Sequence, residues 1–190
     1  MSSFILKKSK NIVEIYKTIE YNGLGKRGEE TMMDVKIDCS EGKFKFRVGG
    51  ILKVNDKYLT VKIQDNDFYC LPGGHVELGE DTDSAVLREM KEELGSDVEI
   101  DRLVSIIQNF FKAKDGRTFH ELGYYYIVEP KNIEDVNLED YVVTENDKGK
   151  LVRLEFRWFT LEELKQERFL PEVLKEQLTN TSLSNIITKD

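Results

Sequence analysis

Two cysteines occur in 190 residues, Cys39 and Cys70, and they show neither metal-ligand spacing nor a disulfide framework. They read as free thiols of a reducing compartment. Long apolar runs are missing as well, so no membrane span is expected. The apolar part of the N-terminus is only Phe4, Ile5 and Leu6, too short for a signal peptide. The expected location is the cytoplasm, with no membrane partner. Basic excess is absent: 28 Lys plus Arg stand against 36 Asp plus Glu, a net charge of −8. A duplex nucleic-acid binder needs a basic face, so that class is disfavoured. Small phosphate-bearing substrates remain open, because a metal ion can neutralise their charge. No internal repeat, low-complexity tract or G-x-x-x-x-G-K-[ST] phosphate loop occurs.

What is present is a succession of alternating and helical patterns. NIVEIYKTIEY and TMMDVKIDC alternate, and NGLGKRGEE joins them, which suggests a β-hairpin within residues 1–40. KFKFRVGGILKV and KYLTVKI read as strands about the Asn55-Asp56 turn, and FYCLP as a short strand. Asp81 to Leu94 reads as a helix, with Asp81 or Thr82 as its cap and Gly95 as its stop. VEIDRLVSIIQNFF and HELGYYYIV follow as strands about the Lys114-Asp115-Gly116 turn, then an acidic connector from Glu129 to Lys150. VRLEFRWF puts Val152, Leu154, Phe156 and Trp158 on one face. Thr160 and Glu163 form a capping box for a helix from Leu161, and Pro171 opens another, to about Leu178. The division expected is an extension (1–40), a domain (41–178) and a polar, frayed tail (179–190).

The central helix crowds like charges. Glu89, Glu92 and Glu93 stand at i, i+3 and i+4, a spacing at which carboxylates repel. At about 100° per residue, Ala85 joins the glutamates on one side, while Val86, Leu87, Met90 and Leu94 form the opposite, core-facing side. An acidic solvated face explains such a pattern, and so does a bound divalent cation that relieves the repulsion. The loop PGGHVELGE just upstream tips the balance. Gly73 and Gly74 allow close backbone approach, and an exposed carbonyl there can join carboxylates around a hard cation such as Mg²⁺.

GHVELGEDTDSAVLREMKEELGS, residues 74 to 96, resembles the Nudix box, G-x5-E-x7-R-E-U-x-E-E-x-G-U, with U a bulky aliphatic. Gly74, Glu80, Arg88, Glu89, Met90, Glu92, Glu93 and Gly95 match; Ser96 stands where an aliphatic is expected, and Val98 is the nearest residue able to replace its packing. The resemblance implies an α/β/α sandwich with a mixed β-sheet, and a MutT-like hydrolase. It implies Mg²⁺, with Mn²⁺ as a substitute, held by Glu89, Glu92, Glu93 and the Gly73 carbonyl. Glu80 and Arg88 match the pair that orients loop and helix, and Glu77 lies in the GGxxE pattern as an outer ligand or a solvated loop charge. The implied substrate is a nucleoside diphosphate linked to another moiety, or a nucleoside triphosphate, cleaved when metal-activated water attacks phosphorus.

The water's proton needs a base: Glu89, Glu93, Glu121 or Glu145 are the candidates, the last two without a fixed motif. Arg47 lies on the face opposite Phe44, Phe46 and Val48, as a surface ion pair or a phosphate contact. Gly74 and Glu77 are expected on the substrate side of the loop. Tyr124, Tyr125, Tyr126, Phe110 and Phe111 are able to stack a base but read first as core, as does Trp158. His75 and His120 read as hydrogen-bonding residues rather than metal ligands.

GLGKRG at residues 23–28 is a literal G-x-G-x-x-G, but a strand-like stretch follows it where dinucleotide binding needs a helix. Two other classes share the resemblance. A nucleotide-sensing module would be free to lose the glutamates, which are intact here. Isopentenyl diphosphate isomerase uses a cysteine, and Cys70 is near the loop, yet the whole R-E-x-x-E-E favours hydrolysis. ADP-ribose hydrolases of the family tend to carry a proline shortly past the box; here Phe110 to Ala113 fill that window and the first later proline is Pro130. The hairpin-like extension is a candidate for forming a homodimer, by analogy with relatives.

Overall fold

In a computed structural model of the chain, residues 33–64, 66–113, 116–147, 150–180 and 182–189 are described. Most of the expected N-terminal hairpin, the GLGKRG stretch, and Lys114 and Asp115 lie outside them. The strands are β1 (Lys36–Cys39), β2 (Gly42–Val54), β3 (Lys57–Ile63), β4 (Val98–Lys112), β5 (Thr118–Pro130), β6 (Tyr141–Asp147), β7 (Lys150–Thr160) and β8 (Ser184–Lys189). The helices are α1 (Thr82–Leu94), α2 (Leu161–Gln166) and the single turn α3 (Leu174–Gln177).

The sheet runs β6-β7-β3-β2-β5-β4-β8, with β1 paired to β2 beside this path. It is mixed: β2 with β5 and β4 with β8 are parallel, the other pairings antiparallel. Alternation along the strands sends side chains to two buried layers. Val48, Leu52, Tyr126, Val128, Phe156 and Trp158 pack with α1 on one face. Ile51, Tyr125, Val104 and Ile107 pack with Leu164, Phe169 and Leu174 from the α2–α3 segment on the other. This is the expected α/β/α arrangement.

β2 and β3 diverge after a two-residue turn, pairing with each other only at Lys53–Val54 and Lys57–Tyr58. The segment from Cys70 to Val76 fills the gap. Gly50 N–H donates to the Pro72 carbonyl, Val48 N–H to the Gly74 carbonyl and Val76 N–H to the Phe46 carbonyl, while Cys70 bridges to Val61. FYCLP, expected as a strand, is therefore a pair of isolated bridges, its backbone divided between two partners. Gly73 has φ +136, and a Cβ there would lie 2.3 Å from the Val48 carbonyl oxygen. Only glycine fits so close to β2.

Helix α1 begins at Asp81, whose carboxylate accepts from the Ser84 N–H at 2.8 Å, and ends at Gly95 in the left-handed region, φ 69. Its face differs from the expectation at two residues. Ala85 is fully buried and Leu87 is 37% exposed. The docked stripe is thus Ala85, Val86 and Met90, centred about one residue round from the expected one. Ser96 is buried, and its hydroxyl donates to the Asp135 carbonyl, while Val98 joins the core. A polar residue is tolerated there because it is hydrogen-bonded.

The acidic connector contains a strand, β6, which pairs with β7. The tail expected to be frayed also forms a strand: β8 pairs with β4 from Ser105 to Phe110, and the Ser184 hydroxyl bonds the Ser105 hydroxyl and donates to the Gln177 amide oxygen. Residues 36–39, assigned to the extension, pair with β2, and the Val35 N–H donates to Val76. The capping box at Thr160 and Glu163 is present. The helix expected from Pro171 is regular only from Leu174 to Gln177.

The docking of α1 gives a contrast to measure. Met90→Ala is expected to cost about 2–5 kcal/mol in urea unfolding, because a fully buried side chain leaves a cavity against Gly50. Leu87→Ala is expected to cost below about 1 kcal/mol. Equal costs would place the helix face elsewhere.

Candidate functional site

Arg88 gathers the site. Its guanidinium donates from Nε to Glu80 Oε1 at 2.9 Å and from Nη2 to Glu80 Oε2 at 2.9 Å, a bidentate pair. Nη2 also donates to the His75 carbonyl at 3.0 Å. Nη1 donates to Glu89 at 2.8 Å and Glu92 at 3.3 Å. Glu77 lies 3.9 Å from Nε. One side chain on α1 thereby holds both ends of the preceding loop and two of the helix's own carboxylates. The Glu80 carboxylate also accepts the Glu77 N–H at 3.0 Å, closing the loop on itself.

These contacts set the charge states. The Arg88 hydrogen bond holds the Glu80 carboxyl below the ordinary carboxylate range, against a smaller opposing effect of burial. Glu89 moves the other way: burial raises its carboxyl, and Arg88 only partly offsets this. Its side chain is 14% exposed, whereas that of Glu92 is 60% exposed. A Cβ at Gly74 would lie 2.4 Å from the Glu89 carboxylate, so the missing side chain at Gly74 is what admits it.

Glu93 points to the other end of the loop, where it accepts the Gly73 N–H at 2.8 Å. The Gly73 carbonyl accepts from Arg47 Nη2 at 3.1 Å. Arg47 in turn faces Glu121, 7% exposed, with Nη1 to Oε2 at 3.8 Å. Burial opposes the Arg47 charge, but Glu121 and its neighbours hold the guanidinium protonated. The surface ion pair expected for Arg47 is thus a pair reaching into the interior. Glu121 is buried on β5, with its carboxylate facing Arg47. Glu145 falls in β6, and its side chain lies outside the described residues.

The structure therefore brings together Glu77, Glu80, Arg88, Glu89, Glu92, Glu93, Gly73, Gly74 and Arg47 around one loop and one helix face. Among the described residues, no three acidic, histidine or cysteine side chains converge as a ready-made metal cage. The donors are hard oxygens, with Glu89 seated in the cradle opened by Gly74. They suit a hard divalent cation that takes carboxylate and carbonyl oxygens and completes its shell with water and substrate oxygens. Cys70 is a poor nucleophile, since burial pushes its thiol up to about 11. His75 is pushed down to about 4, first by burial and then by Arg47, so it is neutral at physiological pH.

Sequence reading missed the His75 carbonyl and the pairing of Arg47 with Glu121. A backbone oxygen leaves no mark in a residue pattern. The ion pair depends on the parallel register of β2 and β5, which sets Lys45 opposite Glu121 and Arg47 opposite Gly123.

A family model described as NUDIX domain matches residues 43–178. An ADP-ribose pyrophosphatase from Methanocaldococcus jannaschii is 28% identical over 125 residues, which cover 58% of this chain and 72% of that protein. A NUDIX hydrolase structure from Nitrosomonas europaea aligns with a TM-score of 0.53 at 17% identity, over 77% of this chain and 79% of that one. The structure of an ADP-ribose pyrophosphatase from Streptococcus suis aligns with a TM-score of 0.50 at 18% identity, over 76% of this chain and 98% of that one. At such identities the two structures speak to the fold alone.

The Arg88–Glu80 pair carries a pH signature. Glu80 ionises more readily in the folded chain than at its ordinary value of 4.5. Its contribution is fully present above that value and is lost as pH falls through the depressed folded pKa. The stability gap between wild type and Glu80→Gln is expected to be full at pH 7 and to narrow steadily below about pH 4.5. Urea unfolding across this range measures it; a gap that widens on acidification would contradict the pairing.

Proposed function

We propose, from the premise that this chain belongs to the NUDIX domain family, a substrate class and a division of labour among the residues around Arg88. The chain is a hydrolase of pyrophosphate bonds, from a family typically dependent on a divalent metal. The substrate is a nucleoside diphosphate linked to another moiety. ADP-ribose is the first compound to test, because the relative from Methanocaldococcus jannaschii is named for it. The absence of a proline shortly past the box argues for including other such diphosphates in the same panel. A half-buried row, in which Phe110 and His120 stack at 4.2 Å and Phe44 meets His120 edge-on, offers ring faces for a base.

The observation that carries the reading is the folding of three glutamates and a glycine carbonyl around one loop–helix junction. Glu89, Glu92, Glu93 and the Gly73 carbonyl would hold Mg²⁺, or Mn²⁺ in its place, with Glu77 at the margin. When bound, the ion neutralises pyrophosphate charge and lowers the pKa of water. The chain's own residues supply the rest. Arg88 and Glu80 keep loop and helix in register. The peptides about Gly73 and Gly74, free of side chains, let the substrate's phosphates approach closely. Glu89 or Glu93 takes the proton of the attacking water, which must sit within hydrogen-bond reach of it.

The test is turnover on ADP-ribose and related nucleoside diphosphates with Mg²⁺, identifying which phosphate is released. Glu92→Gln and Glu93→Gln keep the shape and remove the charge. Each is expected to lower turnover by roughly two orders of magnitude or more, with an unchanged circular dichroism spectrum. Near-wild-type turnover in both would refute the assignment.

A further inference from the structure

Gly73 is held through both of its peptide groups. Its N–H donates to Glu93 at 2.8 Å, and its carbonyl accepts from Arg47 at 3.1 Å. A Cβ at this residue would overlap the β2 backbone, so the peptide cannot be fixed by packing of its own side chain. Hydrogen bonds must do it. Arg47 reaches Gly73 from the middle of β2, flanked by the buried Val48. Its Nε is buried without a hydrogen-bond partner, an arrangement that costs free energy. Glu121, almost wholly buried on β5, faces the other terminal nitrogen of the same guanidinium. The pair is only partly buried, Arg47 on the rim and Glu121 inside, and an ion pair withdrawn from water in this way is seldom the most stabilising choice for its position.

We infer that Arg47, anchored by Glu121, is a positioning residue: it holds the Gly73 carbonyl in place for a divalent cation, while Glu93 fixes the preceding peptide through the Gly73 N–H. The inference rests on the reading of Gly73 and the glutamates as metal donors. A carbonyl oxygen has two lone pairs, so accepting from Arg47 leaves it able to serve a cation. Arg47 thereby acts through Gly73 and not on the substrate. The charge balance makes the idea sharp. Arg47 is a cation near the metal position, so removing it by electrostatics alone would tighten metal binding. Lost positioning would weaken it. Glu121→Gln leaves the Arg47 charge less compensated and its anchor weaker, and both effects weaken metal binding.

The experiment titrates Mn²⁺ into the full-length chain without substrate, following the free-ion electron paramagnetic resonance signal. Kinetics on ADP-ribose at saturating metal and melting curves accompany it. Arg47→Met is expected to weaken Mn²⁺ affinity by roughly tenfold or more, as supporting contacts behind a ligand do, with KM for ADP-ribose within about threefold of wild type. Arg47→Lys is expected to recover part of the loss and Glu121→Gln to shift affinity the same way. Should Arg47→Met fail to fold, those two variants decide. Unchanged or tighter metal binding with a raised KM would overturn the clamp in favour of direct contact with substrate. Unchanged affinity and KM with only a lowered Tm would overturn it in favour of a purely structural pair. A wild-type chain that binds no Mn²⁺ would overturn the metal-site reading itself, which separates that failure from one confined to Arg47.

Discussion

Everything around the loop depends on the Arg88 guanidinium. Five donors in a planar fork meet Glu80 in bidentate fashion, the His75 carbonyl, Glu89 and Glu92. A lysine would offer a point charge and could not span both ends of the loop. Without this hub, Glu89 and Glu92 would repel across a turn, and the seven residues from Gly74 to Glu80 would have few ties to α1. The fork does more than neutralise: it converts a repulsive helix face into a fixed arrangement. Its geometry explains why glutamate precedes the helix at Glu80 and why arginine sits one residue before Glu89.

The second constraint is backbone proximity. β2 and β3 splay apart, and the loop is admitted between them by hydrogen bonding on both edges. Gly73 is necessary because the β2 backbone is too close for any side chain, Gly74 because the Glu89 carboxylate occupies the space its side chain would fill. The two glycines therefore serve different neighbours. One lets the loop join the sheet; the other lets the helix's carboxylate join the loop. The site is the meeting of these two approaches, and the long central strand β2 takes part in both, through Val48 and through Arg47.

The loop–helix junction was legible in the sequence because its constraints are local. Capping at Asp81, the stop at Gly95, and the spacing of Glu80, Arg88 and the glutamates all act within about four helical turns, and a one-dimensional pattern records them. The face of VRLEFRWF was legible for the same reason, since alternation along one strand needs no partner. What escaped depends on long-range register. Ile186 and Ile187 sit in the short, polar SNIITK, and only the edge of β4 makes a strand of it. β6 was hidden in an acidic connector because its partner β7 supplies the apolar contact, as where Tyr141 stacks on Phe156 at 4.7 Å. Leu87 and Ala85 show the limit even for a helix. Periodicity gives a direction to within about one residue, and size does not say which neighbour the core admits. Ala85 is small enough to sit where α1 comes closest to the core, and Leu87 is left at the rim.

The acidic helix face can persist before any cation arrives, and the reason lies in how unevenly its charges are treated. Glu92 is exposed and solvated, so its charge costs little. Glu89 is mostly buried; burial raises its carboxyl, and Arg88 offsets this only in part. Glu93 accepts the backbone N–H of Gly73. Glu89 and Glu92 share Arg88, Glu92 with solvent beside it, while Glu93 has the Gly73 N–H. A divalent cation entering this face would compete with Arg88 for Glu89 and Glu92, but not with the N–H on Glu93, which bonds a carboxylate able to accept about four hydrogen bonds. Arg88 would keep Glu80 and the His75 carbonyl throughout, so the loop would not lose its anchor as its carboxylates change partners. A face built this way can exchange one positive partner for another without refolding, and that is the property a hydrolase needs if metal and phosphates are to enter and leave with each turnover.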